Sequence, residues 1–359
     1  MRVSTVVSTQ LTDMHVTIIG AGVVGLCCAY YLNKEGFEVT VIDRNDITDG
    51  CSFGNMGYIS PSHFTPLASP GIVSQGLKWM LSSSSPFYIK PRLNWDLLQW
   101  GMAFWKKSNA ATMHQNITPL NNLLQLSREL MTDLKKEFNG SFTMLERGCW
   151  MLYKSPATGE HEKHLSADAE KLGLRTLICN SKEVQGFEPD VEVDVAGGVL
   201  YLDDCHISST EFMHCLHHSL DNSGVKFFLN TEVKAFVKDE TITSVITNKD
   251  AIATDQVIIA NGSWMSELAK TLDLKILMQP GKGYSFVYND LKKNLQYPSI
   301  LVDDRAATTP IDRWLRIGGT MELSGHSDTI LPKRVMALYT AFKKYYPTLA
   351  IAPPEIERA

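Results

Sequence analysis

Residues 15 to 43 read HVTIIGAGVVGLCCAYYLNKEGFEVTVID, and this stretch decides the fold. HVTII is a short β-rich run, GAGVVG leads into a helix-compatible stretch that ends at Gly36, and FEVTVID is a second β-rich run. A strand, a helix and a strand of this length form the smallest parallel crossover of a doubly wound α/β sheet. The glycines fall where such a unit needs side chains to be missing. Gly20 permits the tight turn, Gly22 lets backbone approach a pyrophosphate, and Gly25 allows close helix packing. Asp43 closes the second run, where a carboxylate accepts from both ribose hydroxyls and repels a 2′-phosphate. Strand, glycines, helix, strand and acid in this order predict a dinucleotide site and disfavour NADP; NAD and FAD both remain open.

Composition bounds the rest. A chain of 359 residues with 44% hydrophobic content can bury a large core and is long enough for two domains. A formal net charge of -5 provides no basic field to gather nucleic acid, so small molecules are the expected partners. Cys27, Cys28, Cys51, Cys149, Cys179, Cys205 and Cys215 are an odd set without a CxxC pair, which argues against a disulfide framework and a zinc ribbon and suits a reducing cytoplasm. The opening MRVSTVVSTQLTD lacks the apolar region of a signal peptide and reads as a loose leader, with Met14 an alternative start. No apolar run approaches the ~20 residues that cross a bilayer.

From Gly50 to Pro70 the sequence turns to Ser, Gly, Pro and Asn, as in a functional loop packed against a ligand. Trp79, Phe87, Tyr88, Trp95, Trp100, Phe104 and Trp105 follow; a membrane-facing or partner-facing belt is one reading, and ordinary core is the preferred one. Ser82 to Ser85 read as a surface turn. An amphipathic helix is predicted over 117–137, a hairpin in FTMLERGCWMLY (142–153), a strand in GGVLYLDDCHI (197–207) and a helix in SSTEFMHCLHHSLDNSG (208–224). VKFFLN, TEVKAFVK, TSVITN and DQVIIANG are then expected as successive strands re-entering the first sheet.

The run CSFGNMGYISPSHFTPLASPG, residues 51 to 71, closely resembles the second motif of the D-amino-acid dehydrogenase family, flavoproteins related to glycine and sarcosine oxidases. GLKWM (76–80), NTEV (230–233), IIANGSW (258–264), KGYS (282–285) and LRIGGTMEL (315–323) fall in that family's order, so the resemblance covers residues 14 to about 359. It implies an FAD-binding Rossmann-type α/β domain built from 14–66, 206–268 and 326–359, and a partly antiparallel α+β substrate domain built from 67–205 and 269–325. The cofactor set it implies is Gly20, Gly22, Val23, Val24, Gly25, Asp43, Arg44, Ser52, Asn55, Met56, Gly57, Val233, Ala260, Gly262 and Trp264. Ser52, Asn55, Met56 and Gly57 would lie along the phosphates and flavin edge, backbone at Val233 would meet the adenine, and Ala260 and Gly262 would approach the pyrophosphate.

The resemblance further implies oxidative deamination of a D-amino acid or cyclic imino acid, such as D-proline or a hydroxyproline-like substrate, by hydride transfer from Cα to flavin N5. The protein would then mainly orient the substrate. Tyr284 is the expected carboxylate contact, Lys282 a nearby positive charge, and His63 a group that binds substrate or accepts the amine proton. A solvated lysine and a structural histidine are the alternatives for the last two. No metal is expected, since His214 and His218 lack the acidic partner of a metalloprotease motif.

Two departures from the family pattern stand out. Thr309 and Pro310 stand where relatives carry a carboxylate-clamping arginine, which leaves Arg305 or Arg313 as substitutes; and the chain stops at EIERA, about where a further Gly-rich segment is expected. A flavin-binding remnant without activity and an NAD-dependent oxidoreductase are therefore the competing readings. The expected partners are an amino acid substrate and a quinone or other electron acceptor. Expected localisation is cytoplasmic, with peripheral contact at the inner face of the plasma membrane.

Overall fold

The computed structural model describes residues 14–48, 50–80, 87–90, 92 and 94–356, with backbone alone at 77–80. The leader, the serine patch at 82–85 and the Trp79 side chain lie outside the described residues. Two compact units emerge, Met1–Asn55 with Ser209–Met278, and Met56–Ser208 with Gln279–Ala359.

The first unit contains the parallel crossover. Strands Lys226–Phe228, Glu38–Ile42, His15–Ile19 and Gln256–Ile259 lie side by side in that order, all parallel, with Ile18 aligned to Val41 and Ile258. Val16 to Ile19 and Val39 to Ile42 are buried without interruption, as expected when both faces of a parallel sheet are covered. Helix Val23–Lys34 joins the two strands, burying Leu26, Ala29 and Tyr30 on one face. Helix Ser209–Asn222 packs beside it through Phe212, Met213, Leu216 and Leu220.

Two of the strands expected to extend this sheet do not. Val233–Lys238 and Ile242–Thr247 form a separate antiparallel sheet with Ala251–Ala253. Their alternating, half-exposed pattern suits a sheet wet on one side and could not fill a slot covered on both.

In the second unit a mixed sheet runs in the order Lys282–Tyr288, Trp314–Leu323, Ala306–Ile311, Ser299–Leu301, Cys149–Tyr153, Gly197–Tyr201 and Thr176–Asn180, with Phe87–Ile89 also paired to Trp314–Leu323. Strands Tyr58–Ile59, Cys205–Ile207 and Met144–Leu145 form a small second sheet. The expected hairpin over 142–153 is therefore not formed, because Met144–Leu145 and Cys149–Tyr153 belong to different sheets. The helix expected from 117 begins at Ala110, capped by Asn109, and carries Pro119 inside it.

The division into units also differs from the expected one. Residues 326–359 join the second unit because helix Pro332–Tyr345 buries Val335, Leu338, Phe342 and Tyr345 in the core of the large sheet. Spaced by three, four and three, these positions form one helical stripe. Residues 56–66 join it as well, through the pairing of Tyr58 with His206.

The preferred core reading of the aromatic segment fails over helix Trp95–Lys107, which has no buried residue. Trp95 is 67% exposed and Trp105 65%.

Candidate active site

A dinucleotide cradle is built at the end of strand His15–Ile19. Gly20 takes φ +111° and donates its N–H to Ile42 O at 2.8 Å; a Cβ there would stand 2.6 Å from Ala260 O. At Gly25 a Cβ would fall 1.8 Å from Gly20 O. Both glycines are therefore required by the protein's own packing. Gly22 differs, because a Cβ there meets only Ser52 Oγ, at 3.1 Å, and its outer side is open.

Helix Val23–Lys34 begins at Gly22 with no acidic residue in its first turn and with Lys34 in its last, so the positive end of its dipole stands beside the open glycine. Val23 donates its N–H to Ser52 Oγ at 3.0 Å, and Val24 is 62% exposed at the helix start. Ser52 sits on the short helix Cys51–Gly54, held by Asn55 Nδ2 donating to Ser52 O and by Ser209 Oγ donating to Phe53 O.

Asp43 is already at work in the turn. Its Oδ2 accepts from Ala21 N at 2.7 Å and its Oδ1 from Asn45 N at 2.9 Å. The Arg44 guanidinium lies 4.0 Å from the centre of the Trp264 ring. Ala260 donates its N–H to Ile19 O, and Gly262 opens a single 3₁₀ turn at φ +59°. Val233 starts the antiparallel sheet, its backbone neighbouring Thr247. Between Ala260 and Gly262, Asn261 Oδ1 is buried without a hydrogen-bond partner among the described residues, an acceptor that sequence reading passed over. An open glycine cradle, a helix start with no acid in its first turn and a spare buried acceptor fit the phosphates and hydroxyls of a dinucleotide.

A second cluster is built on the large sheet of the other unit. Thr309 Oγ1 donates to Met56 O at 2.6 Å, and Met56 Sδ lies so close over Gly318 that a Cβ there would be 2.5 Å from it. Gly57, at φ +69°, accepts from Ile207 N, and a Cβ on it would strike Ile207 O at 2.1 Å. The buried Tyr58 hydroxyl donates to Thr308 O at 2.6 Å, and burial pushes its pKa well up. Segment 56–58 is thus pinned onto one face of the sheet by bonds to backbone.

Strand register identifies what shares that face. Thr309 aligns with Arg316, whose side chain therefore projects to the Met56 side, two residues from Gly318. Arg316 is 7% exposed and sits 5.1 Å from the Trp314 ring. Burial lowers the pKa of its guanidinium. Of the expected substitutes, Arg313 is at the surface beside Asp290, and Arg305 occupies a turn at φ +51° where Glu162 acts on it. The arginine on the loop-bearing face is Arg316, one strand over from Thr309.

Tyr284 and Lys282 meet each other, but at another centre. Tyr284 is in the core against helix Pro332–Tyr345, and its hydroxyl donates to Glu322 Oε2 at 2.8 Å. Lys282 Nζ donates to Thr329 O and lies 3.6 Å from Glu322 Oε1, and Arg334 Nε lies 3.4 Å from Glu322 Oε2. Burial alone would raise the Glu322 carboxyl, but the tyrosine hydroxyl and the two cations outweigh it and hold the pKa below the usual value. Burial and this carboxylate raise the Tyr284 phenol. Tyr284 aligns with Gly319, so its side chain leaves the sheet opposite to Arg316.

His63 is exposed, with Nδ1 3.2 Å from Ser62 Oγ. Ser62 gives its N–H and its hydroxyl to the two oxygens of Asp204, at 3.0 and 2.6 Å. Burial pushes the Asp204 carboxyl up to about 7. With Asp204 ionised, the Ser62 hydroxyl is committed to it, so His63 Nδ1 must donate and Nε2 is the basic nitrogen. His206 is wholly buried, donates Nε2–H to Pro310 O at 2.9 Å, and is kept neutral by burial, its pKa lowered to about 4. It belongs to the second unit, whereas His214, His217 and His218 belong to the first.

A family model described as DAO, FAD dependent oxidoreductase, matches residues 15–359. A D-amino acid dehydrogenase of Helicobacter pylori is 33% identical over 320 residues, covering 88% of this chain and 76% of that protein. One of Vibrio atlanticus is 31% identical over 352 residues, covering 93% and 82%. Among solved structures, glycine oxidase from Bacillus cereus superposes with a TM-score of 0.72 at 20% identity, covering 94% of this chain and 79% of that one. L-proline dehydrogenase from P. horikoshii superposes with a TM-score of 0.68 at 19% identity, covering 94% and 78%. These two likenesses bear on the fold alone.

Proposed function

We propose, since the chain belongs to the FAD dependent oxidoreductase family, that it oxidises a small D-amino acid at Cα and passes the electrons to a quinone or similar acceptor. Bound FAD would supply the hydride-accepting ring. Gly20, Gly22, Val23, Ser52, Asp43 and Asn261 are the residues that would hold its dinucleotide part. The amino acid class rests on the curated relatives of H. pylori and V. atlanticus.

The chain's own task is positioning. Arg316 is the group proposed to take the substrate carboxylate, with Met56 and Gly318 forming the apolar floor beside it. The observation that carries this is the shared face: Thr309 and Gly318 fix Met56 on the side of the sheet from which Arg316 projects. Tyr284 and Lys282 then act indirectly, by satisfying Glu322 under the same strand. His63 Nε2 stays the candidate to accept the ammonium proton, since only the neutral amine releases hydride readily.

Anaerobic titration tests the reading. Purified protein carrying flavin should bleach with small D-amino acids, D-alanine and D-proline among them, and not with their L forms. Colourless protein that cannot be reconstituted with FAD would sink it. Arg316→Leu should keep its flavin yet weaken amino acid binding about 100-fold, the loss of ~3 kcal/mol expected for a buried charge-assisted pair. Unchanged binding in that variant removes Arg316 from the site and leaves the flavin reading intact.

A further inference from the structure

Ser60, Pro61, Ser62 and His63 form a turn closed by the His63 N–H, which donates to Ser60 O at 3.1 Å; the proline stands second, where its fixed φ suits the bend. The turn follows strand Tyr58–Ile59, whose antiparallel partner is Cys205–Ile207 with Ile59 opposite Cys205, so Asp204 lies beside the start of the turn. Phe64, 2% exposed, anchors the chain beyond it. On the other side Gly148 donates its N–H to Asp204 O at 3.1 Å, and Asp204 donates its own to Tyr201 O at 3.4 Å. Backbone thus fixes both ends of the contact, and three side chains stand in a row. Asp204 Oδ2 is 2.6 Å from Ser62 Oγ, and that hydroxyl is 3.2 Å from His63 Nδ1.

Holding the turn requires less than a carboxylate. An asparagine oxygen would accept the Ser62 N–H as well, without the cost of a buried charge. Asp204 is 1% exposed, and no cation pairs with it among the described residues; Arg175 is taken by the neighbouring Asp203, at 2.6 Å. The titratable groups that act on Asp204 are Asp203, Tyr201, Cys149 and Cys205, and burial keeps the last three neutral. Arg128 acts on Asp203 and Cys205 instead. Around His63, the protein packed against the ring lowers its pKa, and no charged group contributes. What a carboxylate adds to a hydrogen-bond acceptor is the capacity to take a proton, and burial sets that capacity near neutrality, at about 7.

We propose that Asp204, acting through Ser62, makes His63 a base: it holds the imidazole in the Nδ1–H form and takes up, along the row, the proton that Nε2 accepts from the substrate ammonium. The inference rests on the proposed function, which must dispose of that proton before hydride leaves. Three bonds to hydrogen break and three form. An ammonium proton passes to Nε2, the Nδ1 proton to Ser62 Oγ and the Ser62 hydroxyl proton to Asp204 Oδ2, leaving a neutral amine, the Nε2–H imidazole and a carboxylic acid. Because His63 is exposed, Nε2 then releases its proton to water and the row resets in reverse. With Asp204 protonated at rest the order is opposite. The acid donates to Ser62 Oγ, the hydroxyl donates to Nδ1, and Nε2 carries the proton and accepts nothing. Ser62 and Asp204 are thus positioning residues, and His63 alone meets the substrate.

Asp204→Asn reads the claim without turnover. Its amide keeps an oxygen for the Ser62 N–H but turns an NH₂ toward Ser62 Oγ, which sends the hydroxyl to Nδ1 and locks His63 in the Nε2–H form. Nitrogen NMR of the flavin-loaded full chain with isotope-labelled histidine, assigned by His63→Gln, should show Nδ1–H at pH 8 in the parent and Nε2–H in Asp204→Asn. Glu162→Gln, at another carboxyl that burial pushes to about 7, should look like the parent. In stopped-flow bleaching by D-alanine, the parent's rate should rise with pH through about 7, as Asp204 ionises. Asp204→Asn should lose that rise and be slower by roughly 100-fold, with KM within about threefold because Arg316 still holds the substrate carboxylate. Ser62→Ala, which keeps the main-chain bond to Asp204, should show the same slow, flattened profile. An unchanged His63 tautomer in Asp204→Asn, or a parent-like rate and pH profile in both variants, overturns the proposal. A parent that no D-amino acid bleaches overturns the proposed function and the proton route with it, while the tautomer shows separately whether Asp204 governs His63.

Discussion

Asp43→Ala should destabilise the protein even with no cofactor present. The carboxylate accepts two backbone N–H groups, Ala21 at 2.7 Å and Asn45 at 2.9 Å, and so ties the glycine turn to the end of the neighbouring strand. Each bond to a charged acceptor contributes about 1.5 kcal/mol at the low end of the range, which applies because Asp43 is only half-buried and water replaces part of what is lost. The pair therefore amounts to ~3 kcal/mol. For a unit of roughly 125 residues, 1 kcal/mol moves Tm by about 4 °C, so flavin-free Asp43→Ala should melt ~12 °C below the parent. Asp43→Asn separates the two bonds: an amide oxygen can still serve Asn45, while its NH₂ faces the Ala21 N–H donor to donor, so most of the loss should persist. The measurement is thermal unfolding of flavin-stripped protein by far-ultraviolet circular dichroism, alongside flavin retention of the freshly purified variants. A flavin-free Tm within ~2 °C of the parent, together with lost flavin, would refute the reasoning, since the carboxylate would then serve the ligand alone.

The glycines of the turn should separate by role. Gly25→Ala should abolish soluble expression, because its Cβ would stand 1.8 Å from Gly20 O, whereas Gly22→Ala should fold and lose flavin absorbance, because its Cβ meets only a serine hydroxyl at 3.1 Å. Stability should also fall with pH. The Asp204 carboxyl titrates near 7 when folded and near 3.8 when unfolded, so the folded state holds the extra proton between those values. Its contribution is present at low pH and declines by up to ~1.4 kcal/mol per pH unit through that window, then levels off. Urea unfolding at pH 5, 6, 7 and 8 should show this slope in the parent, and Asp204→Asn should flatten it; an unchanged slope assigns it to other groups, Glu162 and Glu188 first, whose carboxyls also lie at about 7.

The sequence was most legible where structure is local. The GAGVVG crossover could be read because the contacts that define it, strand on strand and Gly25 on Gly20, fall within residues 15–43, and the same turn chemistry announced Asp43. Strands from distant segments were harder: nothing near Val233 or Ile242 says that they leave the parallel sheet, a choice made by how much of each face is covered. The surroundings of Tyr284 were hidden for a similar reason. Its partner Glu322 is far along the chain, and only the register with Gly319 shows which way the phenol leaves the sheet. A signal for Arg316 was present in the run Leu315, Arg316, Ile317. A charged residue between two buried aliphatics must point away from their core, which separates it from Arg313 in the surface turn. The aromatic run from Trp79 to Trp105 was legible as a run, but whether its side chains faced inward depended on whether anything packs over them.

The docking of residues 56–58 bears on how this protein can diversify. Thr309, Ile207 and Tyr58 hold the segment through the main-chain atoms Met56 O, Gly57 O and Thr308 O, none of which depends on which side chain stands at position 56. Position 56 is therefore free to vary while its backbone stays in place, with Gly318 underneath setting the headroom. Changes at 56 would reshape the face beside Arg316 without unlatching the loop, whereas a side chain at 318 would also press on the backbone oxygen of Tyr284 at 3.0 Å. Drift at position 56 among related chains should therefore outpace drift at Thr309, Gly57 and Gly318.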